Sequence, residues 1–131
     1  MILYRPTGLA ELHLVRDSDW SEWPPRLPDQ PIFYPVTTFA YAEKIARDWN
    51  AVGQGEAAWG FVTRFEITDD RAARHPVELA GGRDHAELWV PAEELPAFNA
   101  DIVGTIEAIA AYRDRKAFDL EKALKATGLD D

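Results

Sequence analysis

Glu87 enters a short β-type run directly after a Gly-Gly turn, in the segment Gly81-Gly82-Arg83-Asp84-His85-Ala86-Glu87-Leu88-Trp89-Val90-Pro91. A carboxylate so placed, with an apolar wall following at once, is either an edge residue, solvated or paired with Arg83, or a group that acts on a ligand. Two further β-prone segments carry polar groups among apolar ones: residues 2–7 with Arg5, and residues 31–36 with Tyr34. Their chemistry is complementary. A guanidinium makes charge-assisted, bidentate hydrogen bonds to phosphate, a tyrosine ring stacks on planar groups while its hydroxyl stays wet, and a carboxylate stabilises developing positive charge. Acting together requires three strands to converge on one cleft. Each residue also has a structural reading: Arg5 snorkels or pairs with Glu66, Tyr34 packs in the core beside Phe33 and Pro35, and His85 is an exposed turn histidine.

The elements that would position these residues alternate along the chain. Residues 2–5 read as a strand ending at Pro6, and Thr7 as the N-cap of a helix through Val15 with Leu9, Leu12 and Val15 inward. Residues 17–31 hold Trp20, Trp23 and four prolines, too many breakers for a regular element, so they read as an ordered loop with the two tryptophans as candidate pocket walls. Residues 32–36 predict a second strand, followed by a helix capped by Thr37 or Thr38 with Ala42, Ile45, Ala46 and Trp49 at helical spacing. Residues 57–67 predict a central strand with Trp59, Phe61 and Phe65 on one face. Residues 75–79 and 86–90 predict a hairpin, and Pro91 opens a short helix through Leu95. Residues 102–109 read as a last strand, and residues 113–127 as an amphipathic helix with Ala117, Leu120 and Leu124 on one face and Gly128 as its stop.

Composition bounds the function. With 131 residues, 47% of them apolar, the chain suits one α+β domain spanning residues 1–131, with residues 113–128 as a C-terminal helical extension. The 23 acidic against 14 basic residues give a net charge of −9, which argues against non-specific nucleic-acid binding and against anionic membranes. Cysteine is absent, which excludes thiolate catalysis, disulfides and cysteine-ligated zinc, and His13, His75 and His85 have no metal-binding spacing. The N-terminal residues lack signal-peptide character and no apolar run approaches a membrane span, so the expected location is the cytoplasm.

Several segments carry a family resemblance. ILYRPTGLAEL, PPRLPDQPIFYPV with the following YAEKIARDWN, GFVTRFEI, GGRDHAELWVPAEEL and FNADIVGTIEAI look like a small bacterial ADP-ribosylation/crystallin-type family, over roughly residues 1–110. The order of elements also resembles the ADP-ribosyltransferase fold, which implies two packed, mostly antiparallel sheets around a cleft for NAD, the substrate. Carried over by position, the resemblance makes Arg5 the first-strand group that holds the ribose or phosphate, Tyr34 the second-strand group that packs the nicotinamide, and Glu87 the late-strand carboxylate that supports an oxocarbenium-like ribose. Thr7, Gly8, Tyr41 and His85 join the implied NAD cleft, Gly8 because the lack of a side chain lets a ligand approach the backbone. The chain departs from the commoner pattern in three places: Pro35 follows Tyr34 where a Ser-Thr-Ser run is usual, His85 stands two residues before Glu87 where an acid or glutamine is usual, and Tyr41 lies closer to Tyr34 than in the two-tyrosine type.

The activity this implies is transfer of ADP-ribose to an acceptor that the sequence does not name, protein among the candidates. Two other classes stay open. One is a carboxylate-based nucleotide or glycoside hydrolase using Glu66, Glu87 or Glu93, which needs two carboxyl groups roughly 5 to 10 Å apart. The other is a non-catalytic interaction module, antitoxin-like or immunity-like, whose acidic surface docks a basic partner.

Overall fold

The first strand, β1 (Ile2–Gly8), runs through Pro6 and pairs antiparallel with β3 (Trp59–Ile67), Leu3 opposite Phe65 and Gly8 opposite Gly60. The proline was expected to end the strand. Its position explains why it does not: Tyr4 N–H donates to the Val36 carbonyl at 2.8 Å on the side away from β3. By alternation, the missing N–H of Pro6 belongs to that same outer side, beyond the single bridge to Val36, so no ladder bond is lost. Thr7 accordingly stays in the ladder opposite Phe61, and Gly8, not Thr7, precedes the helix α1 (Leu9–Asp17). The helix buries Leu9, Leu12 and Val15, as its spacing predicts.

The structure is a computed structural model that describes residues 1–79 and 85–130. It is α+β, with small antiparallel sheets and flanking helices. One sheet has four strands in the order β1, β3, β7 (Ile102–Arg113), β8 (Lys116–Phe118). A hairpin of β4 (Val77–Leu79) and β5 (Ala86–Leu88) forms as predicted, and a third ladder joins β2 (Ile32–Phe33) to β6 (Val90–Pro91). The expected strand over residues 32–36 is thus divided. Past Phe33 the chain changes partner: Leu88 N–H donates to Pro35 at 2.9 Å and Thr37 N–H to Ala86 at 3.0 Å. Val36 bridges both Tyr4 and Glu87, so residues 35–37 link β1 to β5.

Two apolar cores lie on the two faces of β3. Trp59, Phe61, Phe65 and Ile67 join Leu3, Trp23, Phe33, Leu88 and Phe98 in the larger one. Gly60 and Val62, which interrupt the aromatic alternation in the sequence, face the smaller one with Val36, Ala42, Ala46, Ala51 and Tyr112. That side is covered by α2 (Phe39–Ile45), capped by the Thr38 hydroxyl accepting from Tyr41 N–H at 3.2 Å, and by a π-helical turn, Ala46–Asn50. The extra residue of a π-turn shifts the helical step. Ala42 and Ala46 stay buried, whereas Trp49, expected inward, is 77% exposed.

Elsewhere, the short α3 (Asp69–Ala72) is capped by Thr68, and a 3-10 turn, Ala92–Glu94, leads into α4 (Leu95–Ala100), which extends the helix expected after Pro91. The helix predicted over residues 113–127 is corrected over residues 113–119, nearly half of its length. Asp114 and Arg115 adopt φ of 51° and 66° in a two-residue hairpin turn, with Arg113 opposite Lys116. Their amides donate to Ala58 and Ala51 at 3.0 and 2.9 Å, tertiary bonds that local propensity does not encode. Only α5 (Leu120–Thr127) is helical, capped by Asp119 and stopped by Gly128 at φ 73°. No helix among the described residues is long and apolar enough to cross a membrane.

Candidate functional site

Cross-strand register decides which of the singled-out residues meet. Directly opposed residues of an antiparallel ladder project to the same face, and sequence neighbours to opposite faces. Tyr4, Val36 and Glu87 are bridge partners and share the face covered by α2; Arg5 therefore projects to the other face.

The side-chain contacts agree with the register. Glu87 accepts from the Trp89 Nε1–H at 3.1 Å and from the Tyr41 hydroxyl at 3.3 Å. Glu87 and Trp89 are two apart and share a face, and Tyr41 comes down from the first turn of α2. The His85 ring stacks on Tyr41 with centroids 4.6 Å apart and planes inclined by 22°. Tyr34 meets Trp89 edge to face at 5.7 Å. Tyr34, Tyr41, His85 and Glu87 are thus brought into one strip, with Trp89 as the connecting residue. Beside it, Tyr41, Lys44, Ile45, Trp49 and His85 line a depression of about 370 Å³.

The strip is partly desolvated. Burial pushes the Tyr41 hydroxyl above its ordinary pKa, and the negative charge and hydrogen bond of Glu87 add to the shift. Across the β4–β5 ladder, Glu78 lies opposite Glu87, so two carboxylates share one face of the hairpin. The Gly81-Gly82 turn and the Arg83 partner considered for Glu87 lie outside the described residues.

Arg5 lies elsewhere. Its Nε and Nη2 donate to the two carboxylate oxygens of Glu11 at 2.7 and 2.8 Å, with only 12% of the side chain exposed. Its guanidinium lies 4.6 Å from the Phe33 ring centre and 5.7 Å from that of Trp23. Glu11, not Glu66, is the partner of Arg5. Thr7 is 2% exposed on this second face, and its hydroxyl has no hydrogen-bond partner among the described residues. Gly8 closes β1 at the rim of a separate depression with Leu9, Asn50 and Trp59.

Of the loop tryptophans, Trp23 lines a depression of about 220 Å³ with Leu95 and Asn99, and Trp20 one of about 290 Å³ with Ile106 and Leu124. Trp23 is fixed by a reciprocal clamp, its backbone N–H donating to Asn99 Oδ1 and the Asn99 Nδ2 donating to its backbone carbonyl, both at 2.9 Å. Glu66 does not pair with Glu87. It lies on β3, separated from β5 by β1 and residues 35–37, and three inter-strand steps of about 4.8 Å amount to roughly 14 Å, beyond the range of a hydrolase carboxylate pair. No cluster of three or more potential metal ligands occurs among the described residues.

No family model, curated protein or solved structure matches the chain. Function is therefore argued from this geometry. The residues that sequence reasoning missed are Glu11, Lys44 and Trp89. Trp89 had a readable signal, since its i, i+2 relation to Glu87 places both on one side of a strand. Glu11 had none, because its contact with Arg5 depends on the angle between β1 and α1.

Proposed function

We propose that the chain is an ADP-ribosyltransferase-like protein that binds NAD on the α2 face and transfers ADP-ribose to an acceptor. The observation that carries this reading is the setting of Glu87: a carboxylate oriented by Tyr41 and Trp89 next to an aromatic depression of about 370 Å³. β1, the end of the second segment at Val36, and β5 lie side by side, which supports the reading, although Ile32 and Phe33 pair with β6 instead. A depression of this size suits a nicotinamide ring with its ribose, and Tyr41, His85 and Trp49 provide π-faces for it. Lys44 provides a cation for an adjacent phosphate.

In this mechanism the bond between the ribose anomeric carbon and the nicotinamide nitrogen breaks, and its electron pair leaves with nicotinamide. Positive charge builds on the ribose. Glu87, 3.1 and 3.3 Å from its two donors, is held ready to stabilise that charge without reorganising. A lone pair of the acceptor then forms the new bond, and the acceptor proton passes to Glu87 or to water. Arg5 serves in this scheme as a positioning residue. It ties β1 to α1 through Glu11 on the opposite face, and the phosphate contact implied for it passes to Lys44.

Calorimetric titration with NAD, together with assay of nicotinamide release, tests the proposal. Saturable binding, with release abolished by Glu87→Gln, is expected. Absence of both binding heat and nicotinamide release at millimolar NAD would remove NAD chemistry from consideration.

One observation favours a second reading, the interaction module. Strand β4 presents Val77 at 51% and Leu79 at 62% exposure, and β5 is its paired neighbour in the sheet. An edge of this kind accepts an added strand from a partner. Val77→Lys with Leu79→Lys would then abolish partner capture while leaving NAD binding intact.

A further inference from the structure

Around Phe33, on the face opposite Glu87, the charge balance of the chain is locally reversed. The protein carries a net −9, yet here two guanidiniums, Arg5 and Arg26, share the single carboxylate of Glu11. Both oxygens of Glu11 are taken by Arg5 at 2.7 and 2.8 Å. Arg26 Nη1 stands 3.7 Å from Glu11 Oε1, too far for a hydrogen bond, and among the described residues its Nη2 reaches only the neutral amide oxygen of Gln30, at 3.3 Å. Its Nε is buried without a partner among the described residues, and the whole side chain is only 11% exposed. A buried guanidinium whose fork is half used is costly, and its unmet demand is for a planar or tetrahedral oxyanion.

The same side chain borders an opening. Arg26, Asp29, Gln30, Pro31, Ile32 and Tyr34 line a depression of about 360 Å³. Asp29 is exposed at its rim and is not among the groups that perturb Arg26; those are burial first, then Arg5, Glu11 and Tyr34. Burial and the neighbouring Arg5 hold the Arg26 pKa below its ordinary value, the direction expected of a cation short of negative partners. Tyr34 adds a hydroxyl, and the residue is 37% exposed.

We propose that Arg26, Gln30 and Tyr34 form an oxyanion subsite that takes a phosphate group at the mouth of this depression. The site stands apart from the NAD reading, because its depression shares no lining residue with the one beside Glu87, Tyr34 touching that strip through Trp89, and because it needs no bond cleavage.

Inorganic pyrophosphate is the probe, titrated into the full chain at low ionic strength and followed by amide NMR shifts. The expected result is saturable binding whose shifts centre on residues 26–34, weakened tenfold or more by Arg26→Gln and unchanged by Lys122→Gln, an exposed lysine on α5. Arg26→Lys keeps the charge without the fork and is expected to lose affinity by an intermediate factor, and circular dichroism of each variant confirms that it folds. Glu11→Gln removes the competing carboxylate and should tighten binding. Absence of saturable binding by the wild-type chain overturns the proposal, as does binding indifferent to Arg26→Gln. Displacement of pyrophosphate by acetate at equal concentration would refute the assignment to phosphate.

Discussion

Replacing Gly60 by alanine should damage the fold and the candidate site together. A Cβ built at Gly60 lies 2.4 Å from the Ala46 carbonyl oxygen, 3.0 Å from Asn50 Cβ and 3.1 Å from the Ala51 amide nitrogen. Ordinary contact begins near 3.4 Å, so the Ala46 carbonyl must retreat by about 1 Å (3.4 − 2.4), and the obstacle is backbone, not a flexible side-chain end. Overpacking of this kind costs about 1–3 kcal/mol. Three simultaneous contacts against a rigid turn place Gly60→Ala near 3 kcal/mol, a fall in Tm of roughly 10 °C for a chain of this size. Gly8→Ala is the control, since a Cβ there meets nothing within 4 Å and φ is an ordinary −82°. It should be neutral or stabilising by up to about 1 kcal/mol. Because Ala46 continues from α2, which carries Tyr41 and Lys44, Gly60→Ala should also shift the amide signals of α2. Thermal melts and amide NMR spectra of both variants provide the check. A Gly60→Ala Tm within 2 °C of wild type, or α2 signals unmoved, would refute the claim that close approach of the π-turn to β3 positions the site.

Three further outcomes follow from individual side chains. Burial holds the His75 pKa below its ordinary 6.5, so the unfolded chain binds the proton more tightly. The stability this contributes is complete above pH 6.5 and is lost as pH falls toward the folded-state pKa, at no more than about 1.4 kcal/mol per pH unit; urea unfolding at several pH values should show that component in wild type and not in His75→Gln. Glu87→Gln should lower the Tyr41 pKa toward its ordinary value yet leave it raised, because burial is the larger cause; NMR titration of the labelled tyrosine ring measures this, and an unchanged pKa would contradict the contact. Asp119 caps α5 by accepting from Lys122 N–H at 2.9 Å, so Asp119→Ala should cost about 1 kcal/mol, measured by denaturant unfolding at constant m-value.

How much of this was legible in the sequence depended on whether a feature is set locally. Leu9, Leu12 and Val15 repeat at helical spacing and bury as read, and Thr38 caps α2 because the capping bond spans only three residues. Trp59, Phe61 and Phe65 alternate and share one core; the Gly60 and Val62 that blurred the pattern proved to be the contact residues of the second core. The failures are non-local. Pro6 stays in a strand because β1 has a free outer side beyond Tyr4, and the chain from Arg113 turns back as a hairpin because two of its amides reach Ala51 and Ala58. Neither condition can be read within a window of neighbouring residues.

The candidate site shows the same division, and it bears on mechanism. Residue types chosen from the sequence identified Arg5, Tyr34 and Glu87, but strand parity decided that Arg5 belongs to a different face. One residue of register separates Arg5 from Tyr4, the residue in line with Val36 and Glu87. In a pleated sheet that single step carries a side chain through the sheet. A strand-borne arginine and a strand-borne glutamate can therefore meet at one ligand only when bridge partners and spacing agree. Here they do not, and each has recruited its own partners: Glu11, Phe33 and Trp23 for Arg5, and Tyr41 and Trp89 for Glu87. The consequence is two chemically distinct faces on one sheet, an aromatic carboxylate strip under α2 and a guanidinium cluster around Phe33. Mutations at Arg5 and at Glu87 should then combine additively in stability, because the two side chains share no partner. A coupling energy above about 0.5 kcal/mol in the double-mutant cycle of Arg5→Gln with Glu87→Gln would show that the two faces communicate after all.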